Sequence, residues 1–515
     1  MKKVLLLFII LFAVKVSFAQ TPGSPDLTFG NSGIVITNMD TFSITGNAME
    51  LSNSKIIVGG YSSHGSSTDE DFVIIKYNSD GTLDNTFGTG GKVRTPISSY
   101  SDRALAMAVQ TDGKIILAGN TTSYSPTTIS FTIVRYNING TLDNTFGTSG
   151  VVITSMGAGS MSNAYSVAIQ NNGKIIVAGC SRINSTAYND FTLCRYNVNG
   201  ILDNTFGTNG IVKTTISSSS YFDRINGIAI QSDGKIICAG TTDNGSNKDF
   251  AIVRYDSTGI LDNTFGTSGK VITPIGSIAA YANSIIIQTN GKILVAGINT
   301  NGTNSYFAMV RYSIYGTLDN TFGTSGIVTT SLNSQIDEAY SISLQNNRKI
   351  LVAGSSTSGS NYNFGVVRYD TTGTLDNTFG VGGIVTTPIG SYGYSIAKSV
   401  KVQPDGNIIL AGYSYDGTHQ DFAVVRYYGD ITTSIQQNNF ENEFTIFPNP
   451  ATTQLTIETI QKAEIEILNI QGQLMKNISS AFNKITIDIS SFPSGMYFVK
   501  IKTEKETAVK KFIKE

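Results

Sequence analysis

The sequence predicts an all-β chain: a seven-bladed β-propeller of four-stranded blades with one-plus-three strand closure, followed by a small antiparallel β-sandwich. Three observations carry that reading. The phrase D-x-T-F-G occurs seven times, with phenylalanines at 29, 87, 146, 206, 265, 322 and 379, spaced by 57 to 60 residues. Each period holds four short strand-like runs and no helical pattern. The first copy of the phrase precedes any complete unit, and the last unit ends without one.

Along the chain the organisation is a leader at 1–19, a propeller at 20–428, a polar linker at 429–441 and a second domain at 442–515. The leader has Lys2 and Lys3, then an unbroken apolar run from 4 to 14, then Ser17-Phe18-Ala19. The run is too short to span a bilayer, and the small residues at 17 and 19 suit signal peptidase, so cleavage is expected after Ala19. No later run is long and apolar enough to cross a membrane as a helix.

Within a repeat the first run is of the type ALAMAVQ, the second KIILAG, the third FTIVRY and the fourth KVRT or GIVTT. Asp-Gly, Asn-Gly or close variants separate the first two runs, as a tight hairpin demands. Radial four-stranded blades suit periods of this length. Phase then decides between an open solenoid and a ring. Residues 33–37 form a fourth strand with no blade of its own, and the unit ending at Arg426-Tyr427 lacks a fourth strand. The two partial units add to one blade, which closes the ring and removes both open edges.

Seven basic residues precede a tyrosine: Lys76, Arg135, Arg195, Arg254, Arg311, Arg368 and Arg426. Seven aspartates open the D-x-T-F-G phrase: Asp26, Asp84, Asp143, Asp203, Asp262, Asp319 and Asp376. Equal numbers at equal phase read as one ion pair per blade, or as a carboxylate capping the amides of its turn. One carboxylate per turn is too few oxygens for Ca²⁺. The repeated Phe and Tyr read as wedges between blades.

Composition narrows the function. Charged residues are 14% of the chain and the net charge is -1, which excludes recruitment of nucleic acid or anionic membrane by bulk charge. Of three cysteines, Cys180 and Cys194 flank one loop and a local disulfide between them stays open, while Cys238 sits in a core slot. The two histidines, His64 and His419, fix no metal, and neither a G-x-S-x-G elbow nor a phosphate loop appears. No catalytic group, cofactor or metal is expected. Asp102 and Glu338 are candidate acids without a clear partner.

The loops between second and third strands, and those between blades, emerge on one rim of a meander and vary from repeat to repeat, whereas the opposite turns stay nearly constant. Variation over a constant scaffold is the layout of a binding face. The rim candidates are His64, Tyr100, Asp102, Arg103, Tyr124, Tyr221, Asp223, Arg224, Tyr340, Tyr392, Tyr394, Tyr415 and His419. Tyrosine among Ser, Asn and Asp suits stacking on, and hydrogen bonding to, a glycan or a protein loop.

After Tyr428 the repeat stops. Strand candidates are FTIFPNP, TQLTIET, AEIEILNIQGQLMKNI, KITIDISSFPSGMYFVKIKT and AVKKFIKE, with turn signals at Gln471-Gly472 and 493–495. Phe447-Pro448-Asn449-Pro450, the segment 467–472, 494–500 and the closing Lys510-Lys511-Phe512-Ile513 resemble the type A sorting domain of Bacteroidetes type IX secretion cargo. That resemblance implies Sec export, passage through the outer membrane by the type IX machinery, then removal of the domain by a sortase-like enzyme with release or attachment to anionic lipopolysaccharide. Residues 26–427 resemble the delta-60 repeat family of bacterial secreted and surface proteins, a propeller-like family, through DGKI-(I/L)-(V/L)-AG and RY-x(2–4)-G-x-LD-x-TFG. Departures at 50–54, at Asn347-Arg348 and at Asn407 touch turns only. The implied location is extracellular or on the outer face of the outer membrane, with no activity to transfer. The expected role is a binding or adhesion scaffold for glycan or protein. The alternatives are an extracellular hydrolase or lyase with a rim pocket, and a purely structural envelope protein.

Overall fold

The computed structural model describes residues 20–39, 42–63, 69–183, 188–216, 222–276, 278–332, 335–430, 444–470, 472–502 and 507–515. The leader read at 1–19 lies outside the described residues, as does most of the expected linker. The chain divides into two compact units, Met1–Ile431 and Thr432–Glu515.

Blade 1 is built from Ser43–Ser52, Lys55–Ser63, Glu70–Tyr77 and Lys92–Thr95, each antiparallel to the next. Blades 2 to 6 repeat this meander, starting at Asp102, Met161, Arg224, Ala279 and Asp337. Blade 7 takes three strands from the far end of the repeat array, Ser395–Val402, Ile408–Tyr415 and Gln420–Tyr427. Its outer strand is Ile34–Thr37, with Ile34 opposite Val425 and Thr37 opposite Phe422. Each first strand packs against the first strands of both neighbours, and that of blade 7 packs against that of blade 1. The ring is closed.

Burial explains the sequence of each strand. The second and third strands are covered on both faces by adjacent blades, so they read as continuous apolar runs: Ile56, Val58 and Phe72 to Ile75 are fully buried. Outer strands are covered on one side, and Ile36, Ile153 and Ile272 stay exposed. The tyrosine ending each third strand is buried and reaches the preceding blade, where its hydroxyl meets a threonine of the outer strand: Tyr136 with Thr95 at 2.8 Å, Tyr427 with Thr387 at 2.6 Å, and Tyr77 with Thr37 of the closing strand at 2.9 Å.

A polar node joins consecutive blades. Arg135, Arg195, Arg254, Arg311, Arg368 and Arg426 pair through Nε with Asp143, Asp203, Asp262, Asp319, Asp376 and Asp26 at 2.6–2.9 Å. The other oxygen of each aspartate caps its own turn; Asp143 Oδ1 accepts the N–H and hydroxyl of Thr145 at 3.1 and 2.7 Å. The guanidinium also lies over the turn's phenylalanine, 4.3 Å from the ring centroid for Arg135 and Phe146. Its Nη1 then crosses to the next blade, from Arg135 to Val198 O at 2.6 Å and from Arg254 to Ile314 O at 2.6 Å. Burial opposes ionisation of these carboxyls, but donors from Thr, Lys and Arg outweigh it and hold Asp143, Asp203, Asp262, Asp319 and Asp376 well below the usual carboxylate range.

At the seam the chain ends supply what a continuous blade would. Gly147 N–H donates to Asn199 O of the next blade at 2.8 Å, and at the seam Gly380 N–H donates to Pro22 O at 3.0 Å. Gly380 has φ of 53°, and a Cβ there would collide with Ile384 O. Arg368 is fully buried and its Nη1 meets Asp430 at 2.9 Å instead of a neighbouring carbonyl, while Lys349 meets the same carboxylate at 3.0 Å. Gly429 and Asp430, read from the sequence as the start of the linker, therefore belong to the propeller. Asn407 stands where other repeats place a lysine on the aspartate, and Tyr428 compensates with a 2.8 Å hydrogen bond to Asp26.

Blade 1 is the variant node. Lys76 replaces arginine, its Nζ is 3.7 Å from Asp84, and a cavity of about 350 Å³ opens between Lys76, Asp84 and Ile138. A point-charge ammonium cannot reproduce the fork of a guanidinium.

The second unit is a small antiparallel β-sandwich of Phe444–Phe447, Gln454–Asn469, Leu474–Asp488, Gly495–Lys502 and Thr507–Lys514. TQLTIET and AEIEILN, read as separate strands, form one strand with register irregularities between Thr459 and Ile465. No Gly or Pro lies between them to end it. Conversely, AEIEILNIQGQLMKNI breaks at the turn in which Gly472 N–H donates to Asn469 O. Leu455, Ile457, Ile465, Ile467, Val499 and Phe512 fill the core. The segment FPNP is tied to the last strand through Ala451 N–H to Ile513 O and Ile513 N–H to Asn449 Oδ1, at 2.8 and 3.0 Å.

Three outcomes follow from these packing arrangements. Lys76→Arg should fill the blade 1 cavity and raise stability by about 1 kcal/mol, read as a higher denaturation midpoint at unchanged m-value. Arg426→Ala leaves Asp26 buried without its partner and should cost about 3 kcal/mol in the same assay. On the acid side, a carboxyl whose folded pKa lies below its unfolded value stabilises the fold above roughly pH 4 and loses that contribution as pH falls through the folded value. The node aspartates act this way, while burial lifts Asp71, Asp102, Asp249 and Asp421, which act oppositely. The melting temperature should fall steeply below about pH 4, and Asp203→Asn should flatten that fall.

Candidate binding site at the propeller axis

The first strand of every blade carries one residue too many for its partner. The register slips between Gly46 and Ala48, Ala104 and Ala106, Ala164 and Ser166, Ile225 and Gly227, Ala282 and Ser284, Ala339 and Ser341, and Ala397 and Ser399. The extra residues are Asn47, Leu105, Tyr165, Asn226, Asn283, Tyr340 and Lys398. A bulged residue is released from the ladder and re-aims its side chain. All seven line a single axial cavity of about 450 Å³.

The glycine of the KIILAG-type phrase makes the bulge possible. At Gly119 a Cβ would collide with Arg103 O, and at Gly354 with Glu338 O. Asparagines at the bulge bind the next blade: Asn47 Nδ2 donates to Ala104 O at 2.9 Å, Asn226 to Ala282 O at 2.7 Å and Asn283 to Ala339 O at 2.7 Å. The serine after the bulge does likewise, Ser341 Oγ accepting from Val400 N–H at 3.1 Å.

Around this channel the side chains are aromatic and charged. Tyr340 donates to Glu338 at 2.6 Å, and Lys398 Nζ stands 3.4 Å from the Tyr340 ring centroid. Burial pushes the Lys398 ammonium down to about 8, although the charge of Glu338 opposes the shift. Burial and the Glu338 carboxylate together push the Tyr340 hydroxyl well above its usual range, so it serves as a donor and not as a base. Tyr394 packs against Tyr362 and Tyr413, with centroids 5.2 and 6.5 Å apart. In the adjoining sector Arg103 pairs with Glu70 and lies over Tyr61, and Arg224 lies over Tyr165 and Phe222.

The residues singled out from the sequence thus separate into groups. Tyr100, Tyr124 and Tyr392 are exposed, the first two in edge-to-face contact at 4.5 Å, and Tyr392 lies 6.2 Å from Tyr415. Arg224 and Tyr340 line the axial cavity instead of the outer rim, because they stand within first strands. Asp102 and Asp223 are fully buried. Asp102 accepts Ile97 and Ser98 N–H at 2.9 and 2.7 Å, and Asp223 accepts Ile216 N–H at 2.8 Å and the Thr242 hydroxyl at 2.7 Å. Asp337 repeats this in blade 6 by accepting Leu332 N–H at 2.7 Å. They tie down the entry loops of alternate blades, and the carboxylate of Asp102 is taken up by these backbone amides. His419 is half-buried, and its backbone N–H donates to Asp416 Oδ1 at 2.7 Å. His64 and Tyr221 lie outside the described residues. Cys180, Cys194 and Cys238 are free and buried, with Cys180 opposite Phe191 and Cys194 opposite Val177. Burial pushes the first two thiols up to about 11 and about 12. Among the described residues no group of three or more His, Cys, Asp or Glu could hold a metal.

The fold defines a repeat-built β-propeller followed by a small β-sandwich. The family described as a domain of unknown function (DUF5122) beta-propeller matches residues 51–87, 110–146, 170–206, 231–265, 288–322, 345–379 and 403–430. A secretion system C-terminal sorting domain matches residues 445–515. The chain is a DUF5122 β-propeller followed by that sorting domain, which directs it through the type IX system to the cell exterior. No curated protein matches it. Among solved structures, a protein of unknown function from Bacteroides caccae is 13% identical, with 65% of this chain and 98% of that one covered and a TM-score of 0.34. The polysaccharide lyase Uly1 is 12% identical, with 74% and 89% covered and a TM-score of 0.42. The β-propeller domain of the Trilobed protease from Pyrococcus furiosus is 9% identical, with 78% and 100% covered and a TM-score of 0.39. Likeness at this level says nothing of ligand or activity.

Gly119→Ala should be destabilising by more than about 2 kcal/mol, since the backbone of Arg103 cannot move without undoing the bulge. Lys398→Met should instead raise stability at pH 7 by about 1 to 2 kcal/mol. A lysine whose folded pKa is depressed costs stability below that value, and the cost fades as pH rises through it. The gain measured by denaturation should therefore shrink between about pH 8 and pH 10.

Proposed function

We propose that this protein is a surface-displayed glycan-binding propeller whose ligand enters at the tyrosine-lined mouth of the axial channel. The observation that carries the reading is the cluster of Tyr340, Tyr362, Tyr394 and Tyr413 around Glu338, continued by Tyr61 and Arg103. Rigid rings with hydroxyl edges stack on sugar faces and bond sugar hydroxyls at low entropic cost. Loop variation around a constant scaffold leaves the exposed pairs Tyr100–Tyr124 and Tyr392–Tyr415 as outer contacts for a longer chain. The sorting domain fits this role: after export a sortase-like peptidase removes it and leaves the propeller attached to lipopolysaccharide or released.

A second reading is favoured by one arrangement, the Lys398, Tyr340 and Glu338 group, which has the composition of an acid–base site in an extracellular lyase. A glycan array probed with the purified chain separates the readings. Binding lost at least tenfold in Tyr394→Ala and Tyr413→Ala, with the bound oligosaccharide recovered intact, supports the binding module. Recovery of shortened, unsaturated products supports the lyase. Silence across the array removes both and leaves a protein ligand or an architectural role.

A further inference from the structure

We infer that the axial channel selects acidic sugars, with Arg224 of blade 4 and Lys398 of blade 7 as the cations that attract hexuronate carboxylates. This rests on the glycan-binding reading above and specifies its ligand. Four charged residues line the cavity, namely Glu50, Arg224, Lys398 and Lys401. Glu50 and Lys401 neutralise each other at 2.6 Å. Two cations are left, contributed by blades three apart in a ring of seven and so on different sides of the channel.

Neither cation meets a carboxylate within 4 Å among the described residues. Arg224 is held flat by the rings of Tyr165 and Phe222, with its carbon 5.0 and 5.3 Å from their centroids, and its Nε is buried without a hydrogen-bond partner there. Lys398 is held against the face of Tyr340. Aromatic faces orient a cation without cancelling its charge. Elsewhere in the propeller buried arginines are matched by a carboxylate in blade after blade, as Arg135 is by Asp143. Arg224 and Lys398 are half-buried without a direct ion pair, Glu338 acting on Lys398 only across the Tyr340 ring, and a cation so placed is free to take an incoming anion.

The channel suits a sugar more than a simple anion. Its volume of about 450 Å³ is that of a small-molecule site. Asn47 and Asn226 each use an amide hydrogen on a neighbouring backbone carbonyl, which fixes the carboxamide and leaves its oxygen to accept a sugar hydroxyl. Tyrosines at the mouth supply faces for the flanking residues of a chain.

The test is titration calorimetry of the purified chain with hexuronate oligosaccharides of the galacturonate, glucuronate and guluronate series. The same oligosaccharides with carboxyls reduced to alcohols serve as neutral counterparts, and poly-aspartate serves as a peptide control. The expected result is binding of at least one acidic series, at least tenfold weaker for its reduced counterpart and weakened by salt. Arg224→Gln and Lys398→Met should each lose at least tenfold with a retained melting transition, Lys398→Arg should keep binding, and Tyr100→Ala on the outer rim should change little. Equal binding of acidic and reduced forms overturns the inference and leaves the glycan-binding reading intact. Acidic binding indifferent to both axial substitutions also overturns it, by placing the site elsewhere. Binding of poly-aspartate alone replaces the glycan by an acidic peptide, and no binding by any neutral or acidic sugar overturns both readings.

Discussion

The propeller depends on a guanidinium that bonds in three directions. Each node arginine holds the aspartate of its turn and covers the phenylalanine of that turn, and all but Arg368 reach a carbonyl of the next blade. The first two contacts fix the turn within a blade, and the third fixes the spacing between blades. Because one side chain does both, the spacing of neighbours is set by the same geometry at five of the seven nodes, Lys76 and Arg368 being the exceptions. Burying so many charges would be costly if any were left alone. Each aspartate is therefore also tied to a threonine, and in most blades to a lysine as well. Where the arrangement is relaxed, at Lys76, the packing opens.

The axis obeys the opposite rule. The node positions are nearly invariant along the chain, whereas the bulge positions hold Asn, Leu, Tyr, Asn, Asn, Tyr and Lys. A bulged residue has no partner across the ladder, so its side chain can change without disturbing pairing. The scaffold requires the glycine that faces it and, in all blades but the fourth, where Ile225 precedes the bulge, small residues on both sides. This separates fold from recognition within a single strand. Seven inward positions can be varied while the same backbone is kept.

Much of the fold was legible because it is written as repetition. The phase of D-x-T-F-G located the closing strand Ile34–Thr37 in blade 7, and the equal counts of basic residues and aspartates pointed to a shared node. The axial site was not legible. Bulges are a property of register between two strands, and the ALAMAVQ run shows only rough alternation. A signal did exist: the glycine in all seven KIILAG-type phrases has no turn to make and sits mid-strand, which marks a close backbone approach. Asp102 and Asp223 looked like polar residues of variable loops, yet loop carboxylates that collect backbone amides turn inward. Asp430 was read as linker because its partner, Arg368, lies 62 residues away in sequence. In the sorting domain, polar and apolar residues alternate across a join that carries no turn residue, so two strands were read where one exists.

Closure by Ile34–Thr37 also imposes an order of events. Arg426 and Asp26 are separated by 400 residues, whereas every other node arginine meets an aspartate 8 residues on. The chain entropy lost in joining ends that far apart scales as about 5 kcal/mol, against about 2 kcal/mol for a loop of node length. Blades 1 to 6 pair strands that are near one another in sequence, whereas the strand nearest the N-terminus must wait for the three at the far end of the array. Until they meet, blade 7 shows a bare edge and the Ile34–Thr37 segment stays unpaired. The seam is thus a completeness check: a chain cut short anywhere before Tyr427 remains an open arc, and only the finished array becomes a ring.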